Sequence, residues 1–134
     1  MTIREIVLVS APNTAGERFM MQLRQRRIPF AAIVNNPEEY ERVSALGADS
    51  IIAVRTAKEE SWRIPPFEIG NVILFEKSLT LCCRYAQICR SWTSRPIYVV
   101  TGSVQPRHVY KTLGVDYVIH SQGHDMSFLI DAVK

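Results

Sequence analysis

Six short apolar segments, each separated from the next by a helical or loop-forming stretch, constrain the fold of this 134-residue chain more than any other feature. Most of them are continuously apolar rather than alternating, which is typical of parallel strands covered on both faces. Strands that alternate with helices predict an α/β fold with a doubly wound, mostly parallel six-stranded sheet. The predicted strands are Ile6–Ser10, Phe30–Asn35, Ser50–Arg55, Asn71–Glu76, Ile97–Thr101 and Tyr117–Ser121.

Capping residues mark where the helices between these strands begin and end. Thr14 and Glu17 have the spacing of a capping box, which predicts that the first helix begins at Thr14 with a core face of Phe19, Met20 and Leu23. Similar signals predict the other segments. These are a helix from cap Asn36 and Pro37 to Gly47, a short helix after Thr56, a loop over 62–70, a helix from cap Ser78 to about Trp92, a helix from Pro106 to Gly114, and an amphipathic helix over 124–134.

One phrase occurs twice in the chain. Leu46–Ile52 reads Leu-Gly-Ala-Asp-Ser-Ile-Ile, and Leu113–Ile119 reads Leu-Gly-Val-Asp-Tyr-Val-Ile. Each copy joins a helix that ends in glycine to the next strand. The repeat is interpreted either as two similar joints or as a duplicated half-fold. In both cases the chain is predicted to be one Rossmann-like domain over residues 1–134.

Composition excludes several classes of protein. The net charge of +3 is too small to indicate nucleic-acid binding, and no apolar run approaches the ~20 residues of a membrane span. The N-terminus does not resemble a signal peptide. Cys82, Cys83 and Cys89 have neither disulfide-framework nor zinc spacing, so we expect buried thiols in a cytoplasmic protein. His108, His120 and His124 form no metal motif, and a surface position is expected for them.

The turn between the first strand and the first helix has the length of a dinucleotide-binding turn. Such a turn carries the pattern G-x-G-x-x-G, and here only the last glycine, Gly16, is present. Ala11 and Asn13 replace the other two. Asn13 is expected to hold the turn through a positive φ, which asparagine tolerates better than most residues. The frame of a nucleotide site is therefore predicted, with two of its three glycines changed.

The order of these motifs resembles the TrkA-N, or RCK N-terminal, domain. The resemblance rests on the turn ending in Gly16, Asn-Asn-Pro-Glu-Glu over 35–39, the two Leu-Gly-x-Asp joints and Arg-Pro-Ile-Tyr-Val-Val over 95–100. It covers nearly the whole chain. It implies a cytoplasmic regulator of potassium channels or transporters that binds NAD(H), ATP, ADP or a similar ligand at the first turn and assembles as a dimer or ring.

The resemblance also implies where a ligand would lie and where this chain departs from the pattern. The family's acidic residue at the end of the second strand is replaced by Asn35, and its Gly-Asp after the third strand by Arg55 and Thr56. Glu17 would place a negative charge beside a phosphate. The predicted cofactor-binding residues are Ser10, Ala11, Pro12, Asn13, Thr14, Ala15, Gly16, Asn35, Asn36, Arg55, Thr56, Glu76 and Thr101.

These departures favour a non-enzymatic regulatory domain with altered or lost NAD-type binding. The ligand is left open between NAD(H) and an adenine nucleotide. A homodimer or higher oligomer is expected, with the apolar face of the last helix near Phe128 as a contact surface and a membrane channel or transporter as partner. The alternatives are a nicotinamide-binding subunit of an oxidoreductase, whose substrate domain a partner would supply, and a scaffolding module with a vestigial cleft.

Overall fold

The structure is a computed structural model that describes residues 5–55, 65–102, 107–121 and 128–133. Within these residues, strands and helices alternate along most of the chain, as the sequence predicted. The elements are β1 (Ile6–Ser10), α1 (Thr14–Gln25), β2 (Phe30–Val34), α2 (Pro37–Ala45), β3 (Ser50–Ala53), β4 (Ile69–Phe75), α3 (Leu79–Trp92), β5 (Ile97–Thr101), α4 (Arg107–Thr112), β6 (Tyr117–His120) and α5 (Phe128–Val133).

The described strands form a six-stranded sheet in the order β3-β2-β1-β4-β5-β6, and each neighbouring pair is parallel. The order runs outward from β1 in one direction and from β4 in the other, which is the doubly wound arrangement. The predicted Rossmann-like α/β fold is therefore confirmed. All carboxyl ends of the strands meet at one edge, where ligands bind in folds of this kind.

Several predicted strand boundaries were wrong by one or two residues. Strand β2 ends at Val34 and β3 at Ala53, so Asn35 and Arg55 lie beyond the sheet. Strand β4 begins at Ile69, two residues earlier than predicted, so the predicted loop ends too late. Apolar patterning does not resolve such ends, since the last ladder hydrogen bond depends on the neighbouring strand. The predicted short helix after Thr56 lies outside the described residues.

The core has two layers, one on each face of the sheet. Helices α1, α2 and α5 cover one face and α3 and α4 the other, so alternate residues of the central strands serve different layers. Phe19, Met20 and Leu23 are fully buried, as predicted for the core face of α1. Cys82 and Cys89 are buried on the opposite face, as predicted for core thiols, whereas Cys83 is only half-buried, so the prediction was wrong for that residue.

Two helix caps are the predicted residues, and the prediction for a third was wrong. Asn36 caps α2 and Ser78 caps α3, each side chain accepting a hydrogen bond from a first-turn N–H. Helix α1 is capped by Asn13 rather than Thr14, because the Asn13 side chain accepts the Gly16 N–H at 2.9 Å. The cap predicted at Thr14 therefore lies one residue earlier in the chain, at Asn13. Asparagine is as good a cap as threonine or better.

The repeated phrase forms the same joint in both halves of the sheet. Gly47 and Gly114 adopt φ of +86° and +92°, which ends the preceding helix in the left-handed conformation. Asp49 then accepts the N–H of Phe30 at 2.9 Å, and Asp116 accepts the N–H of Ile97 at 2.8 Å. Each aspartate thus fixes the start of the strand beside its own.

The closing helix does not offer the predicted contact face. Leu129, Ile130 and Val133 are buried in the core layer that α1 and α2 also cover. Phe128, at the start of α5, is exposed, at 55%. The helix is amphipathic, as predicted, but its apolar face packs against the sheet of the same chain. No helix among the described residues is long and apolar enough to cross a membrane.

Candidate functional site

The carboxyl edge of the sheet changes winding direction between β1 and β4, which are hydrogen-bonded neighbours. This switch point is where an open α/β sheet leaves a crevice for a ligand. The turn after β1 borders it on one side, and Glu76, which follows β4, borders it on the other. The candidate site is therefore built from the predicted first turn and the residues that face it.

Asn13 lies across this switch point. Its side-chain Nδ2 donates to the Glu76 carbonyl oxygen at 3.2 Å, while its Oδ1 accepts the Gly16 N–H at 2.9 Å. Its own carbonyl oxygen accepts the Glu17 N–H at 3.0 Å. The residue is extended, with φ of −141° and ψ of 174°, so the predicted positive φ was wrong. Asn13 holds the turn through its amide and not through an unusual backbone conformation.

Gly16 keeps the packing role of the third glycine in the dinucleotide pattern. A Cβ on Gly16 would lie 2.7 Å from the Ala11 Cα and 3.1 Å from the Phe75 Cγ. Helix α1 can therefore approach the strands only because position 16 has no side chain. Ser10, Ala11 and Pro12 are buried beneath this contact, and Ala15 packs against the core. These four predicted binding residues serve the packing of the turn.

The outer side of the first turn of α1 is open to solvent and mixed in charge. Thr14 and Arg18 are exposed, and Glu17 is half-buried. The Glu17 carboxylate lies 3.8 Å from the Arg42 guanidinium of α2. A loose pair of this kind is worth little in stability. It does keep a carboxylate beside the N-terminus of α1, where a phosphate would otherwise lie.

Glu76 and Thr101 were both predicted as ligand contacts, and the structure pairs them with each other. The Thr101 hydroxyl donates to the Glu76 Oε1 at 2.7 Å, and the Tyr110 hydroxyl donates to the Oε2. The Glu76 N–H donates to the Val100 carbonyl at 2.9 Å. The carboxylate therefore ties together the ends of β4 and β5 and helix α4. Both of its oxygens have protein donors.

Tyr110 extends this network into the core and is itself fully buried. Burial raises its pKa, and its hydrogen-bonding contacts with Cys82 and Glu76 act in the same direction. Burial likewise raises the pKa of Cys82 to about 12, although the Tyr110 hydroxyl opposes the shift. Both groups stay protonated at neutral pH. A buried neutral thiol is a poor nucleophile.

Little space remains between the turn after β1 and helix α3. The cleft there is too narrow to hold a water molecule. Its position at the switch point is where a diphosphate would cross the edge of a dinucleotide-binding sheet. The cleft is lined by Ser10, Pro12, Phe75, Lys77, Ser78, Leu81, Cys82 and Tyr85.

A larger groove lies at the same edge, beyond the ends of β2 and β3. It has a volume of about 600 Å³, within the range of small-molecule sites. Asn36 caps α2 from this groove, because its Oδ1 accepts the Glu39 N–H at 2.8 Å, and its Nδ2 donates to the Asn35 Oδ1 at 3.0 Å. The lining residues are Asn35, Asn36, Pro37, Tyr40, Glu41, Ala53, Val54 and Arg55.

Glu39, in the first turn of α2, is a buried carboxyl that the sequence did not single out. It is 4% exposed, and no described residue hydrogen-bonds to its Oε1. Burial raises its pKa, against the charges of Arg42 and Lys77 and a backbone hydrogen bond from Asn35. From the sequence, an acidic residue just after an N-cap is expected at the surface, where it interacts with the helix dipole. The burial of Glu39 becomes evident only from the packing of α2.

The structure divides the predicted binding residues into three groups. Asn35, Asn36 and Arg55 are brought together in the groove. The residues from Ser10 to Gly16 form the closed turn, and Glu76 and Thr101 bind each other. Thr56 lies outside the described residues. In the sequence analysis, Tyr40, Tyr110 and Glu39 were missed. For one of them the sequence holds a signal: Tyr40 follows Asn36 by four residues, which places both on the same side of α2, near the carboxyl edge of the sheet.

No constellation of metal ligands is present in the described parts of the chain. His108 and His120 are exposed on α4 and at the end of β6, and His124 lies outside the described residues. Among the described carboxylates at the switch point, Glu76 has both oxygens engaged by protein hydroxyls.

The sequence matches no protein-family model, and a search of curated proteins found no match. Three solved structures are similar in fold. The TrkA-N domain of the inner membrane protein ybaL from Escherichia coli has a TM-score of 0.71 at 13% identity, with 100% of each chain covered. The NAD(P)-binding domain of an exopolyphosphatase-related protein from Archaeoglobus fulgidus has a TM-score of 0.70 at 15% identity, covering 96% of this chain and 93% of that one.

The third structure is the GsuK channel bound to NAD, with a TM-score of 0.69 at 13% identity. The match covers 87% of this chain but 21% of the channel chain, so the chain spans about a fifth of that protein's length. At this level of identity the similarity concerns the fold. The fold is thus that of TrkA-N, RCK and NAD(P)-binding domains, which agrees with the resemblance drawn from the sequence.

Proposed function

We propose that this chain is a non-enzymatic regulatory domain of the TrkA-N/RCK type in which NAD-type binding is altered or lost. The observation that carries this proposal is the position of Asn13. Its amide spans from the N-terminus of α1 to the Glu76 carbonyl, across the switch point of the sheet. A dinucleotide would have to displace that amide before its diphosphate reached the helix N-terminus.

Three features add to the expected cost of binding a diphosphate. The Gly16 N–H, which would meet a phosphate oxygen, already has the Asn13 side chain as acceptor. The Glu17 carboxylate adds repulsion at the same helix end. Asn35 stands where a carboxylate would bind the ribose hydroxyls, and a neutral amide binds them more weakly. The contact at Asn35 lies away from the N-terminus of α1, so its cost adds to the cost of the changes at that helix end.

A domain without catalytic groups acts through its contacts with other chains. A ligand or partner that binds one inter-subunit arrangement better shifts the population toward that arrangement. By the resemblance to TrkA-N and RCK domains, the proposed setting is cytoplasmic. The proposed assembly is a homodimer or higher oligomer, and the proposed partner is a membrane channel or transporter subunit involved in potassium transport.

The ligand part is tested by calorimetric titration with NADH, NADPH, ATP, AMP and cyclic dinucleotides. We expect no tight binding of NADH by the natural chain. The double variant Asn13→Gly with Asn35→Asp removes the bridging amide and supplies the ribose acid, so it should gain measurable NADH affinity. Asn13→Asp is the matched control, because it keeps the cap and adds negative charge. Sub-micromolar NADH binding by the natural chain would contradict the proposal.

The regulatory part is tested by the state of assembly. Size-exclusion chromatography with light scattering at several protein concentrations should detect a dimer or larger species. A strict monomer at every concentration would count heavily against an RCK-like role. A hydride-transfer assay with NADH addresses the oxidoreductase alternative, and turnover in that assay would show the non-enzymatic assignment to be wrong.

A further inference from the structure

Strand β6 lies at one end of the sheet, and among the described residues it pairs with β5 alone. We propose that its free edge, the side of the strand away from β5, binds the same edge of a second copy of this chain. Two six-stranded sheets would then join through an antiparallel β6–β6 pair. This inference rests on the homodimer in the proposed function and names the surface that forms it.

The backbone groups on the free edge follow from the hydrogen bonds on the other side of β6. The Thr101 carbonyl of β5 accepts the Ser121 N–H at 2.9 Å. Successive residues of a strand direct their backbone groups to opposite sides, so the N–H and C=O groups of Val118 and His120 point away from β5. Such an edge is a template for a further strand, and two features that block edge pairing, proline and lysine, do not occur in β6.

The sequence around Val118 is complementary to itself in an antiparallel pair. When Val118 lies opposite the partner's Val118, the two residues exchange both of their backbone hydrogen bonds. In the same register Tyr117 lies opposite the partner's Ile119, and an aromatic ring opposite a β-branched residue stabilises such a pair. Asp116 lies opposite the partner's His120. The two-fold axis repeats each of these contacts, which argues for a second copy as the occupant of the edge.

Charge complementarity fixes the register of the pair. The Asp116 side chain is 44% exposed and uses its Oδ2 for the Ile97 N–H and the Arg90 guanidinium, while its Oδ1 takes part in neither bond. The exposed His120 imidazole carries an N–H in either protonation state, so it can donate to the partner's Asp116. A register displaced by two residues separates both of these pairs.

Exposed apolar side chains lie on β6 and on the helices before and after it. Tyr117 is 52% exposed and stacks on Tyr98, with ring centroids 5.0 Å apart and ring planes 22° apart. The Lys111 ammonium lies 5.8 Å from the centroid of the Tyr117 ring. These contacts order the ring before association, which lowers the entropy cost of binding. Val109 of α4 and Phe128 of α5 are 44% and 55% exposed.

A proline on the free edge tests the pairing, with the dissociation constant of the dimer measured by sedimentation velocity on the full chain. Val118→Pro removes an N–H that β5 does not use, so it spares the sheet of one chain and blocks the β6–β6 pair. The dissociation constant should rise at least about tenfold. Ile51→Pro is the matched control, because Ile51 has the same place in the repeated phrase but lies on β3, at the opposite end of the sheet. Circular dichroism checks that both variants fold.

A charge variant tests the register without changing the backbone. His120→Glu places a carboxylate opposite the partner's Asp116 in both copies of the contact, so the dissociation constant should rise about tenfold. The matched control is His108→Glu, which makes the same change at an exposed position on α4 and should leave association unaltered. Since His120 is exposed, this variant keeps the test valid even if the proline variant does not fold.

The outcomes separate this inference from the proposed function. A dimer that neither Val118→Pro nor His120→Glu weakens overturns the inference and leaves the proposed function standing, because association then uses another surface. Equal weakening by each variant and its control shows an effect that is not specific to β6 and also overturns the inference. A natural chain that is monomeric at every concentration contradicts both.

Discussion

The two halves of the sheet are alike at the edge where the strands begin, and they differ at the edge where the strands end. At the amino edge, Asp49 and Asp116 perform the same task, each accepting the first N–H of the neighbouring strand. At the carboxyl edge, the half containing β4 and β5 closes its polar groups on themselves through Glu76. The half containing β2 and β3 leaves a groove open, and one oxygen of the buried Glu39 carboxyl has no hydrogen-bond partner among the described residues.

This contrast separates the residues that stabilise the fold from those at the carboxyl edge that are available for binding. The repeated joints satisfy backbone groups that every parallel sheet must satisfy, so they recur. The carboxyl edge is not needed for strand pairing, and its residues can specialise. One half of it serves stability in this chain, and the other half retains the shape of a binding site. The following substitutions test that division.

The largest loss of stability is expected from Glu76→Ala. Removing the carboxylate leaves the hydroxyls of Thr101 and Tyr110 without their acceptor in a part-buried site, which costs about 3 kcal/mol. Chemical denaturation followed by circular dichroism measures the change. Glu41→Ala is the matched control, because this exposed carboxyl in the other half should change stability by no more than about 0.5 kcal/mol. Equal losses would show that the two halves do not differ as described.

An intermediate loss is expected from breaking the joints. Asp116→Ala removes the acceptor for the Ile97 N–H and one of the partners of the Arg90 guanidinium, 3.2 Å away, and should cost about 2 kcal/mol. Asp49→Ala removes a single acceptor, for the Phe30 N–H, and should cost about 1 kcal/mol. Denaturation midpoints with unchanged slopes would measure both. A larger loss for Asp49→Ala would contradict the assigned difference between the joints.

The smallest effect is expected from Glu39→Gln, and it depends on pH. Burial raises the pKa of Glu39 above its unfolded value, so the folded state binds the proton more tightly. The free energy of unfolding therefore falls as the pH rises. The fall begins near the pKa of Glu39 in the unfolded chain and ends above its raised pKa in the folded protein. The glutamine variant should be more stable than the natural chain at pH 7 and lose that advantage in acid. An identical difference at every pH would show that Glu39 does not titrate in this way.

Much of the fold was predictable because its signals are local. The apolar runs, the Asn36 and Ser78 caps and the Gly47 and Gly114 joints each depend on a few adjacent residues. The candidate site was only partly predictable. The sequence placed Asn35 and Arg55 at the right edge, yet it could not show that Glu76 faces Thr101, 25 residues away. It also gave Asn13 a backbone role that its side chain performs instead.

The sequence by itself determined the order of strands and helices, the joints that repeat and the loss of two glycines from the first turn. Those features arise from neighbours along the chain, whose spacing fixes which groups meet. The tertiary structure alone decided which half of the carboxyl edge is closed. That outcome depends on residues far apart in sequence, such as Asn13 and Glu76, which packing brings within 3.2 Å of each other. The same packing turned the apolar face of α5 inward and left the groove beside Tyr40 open.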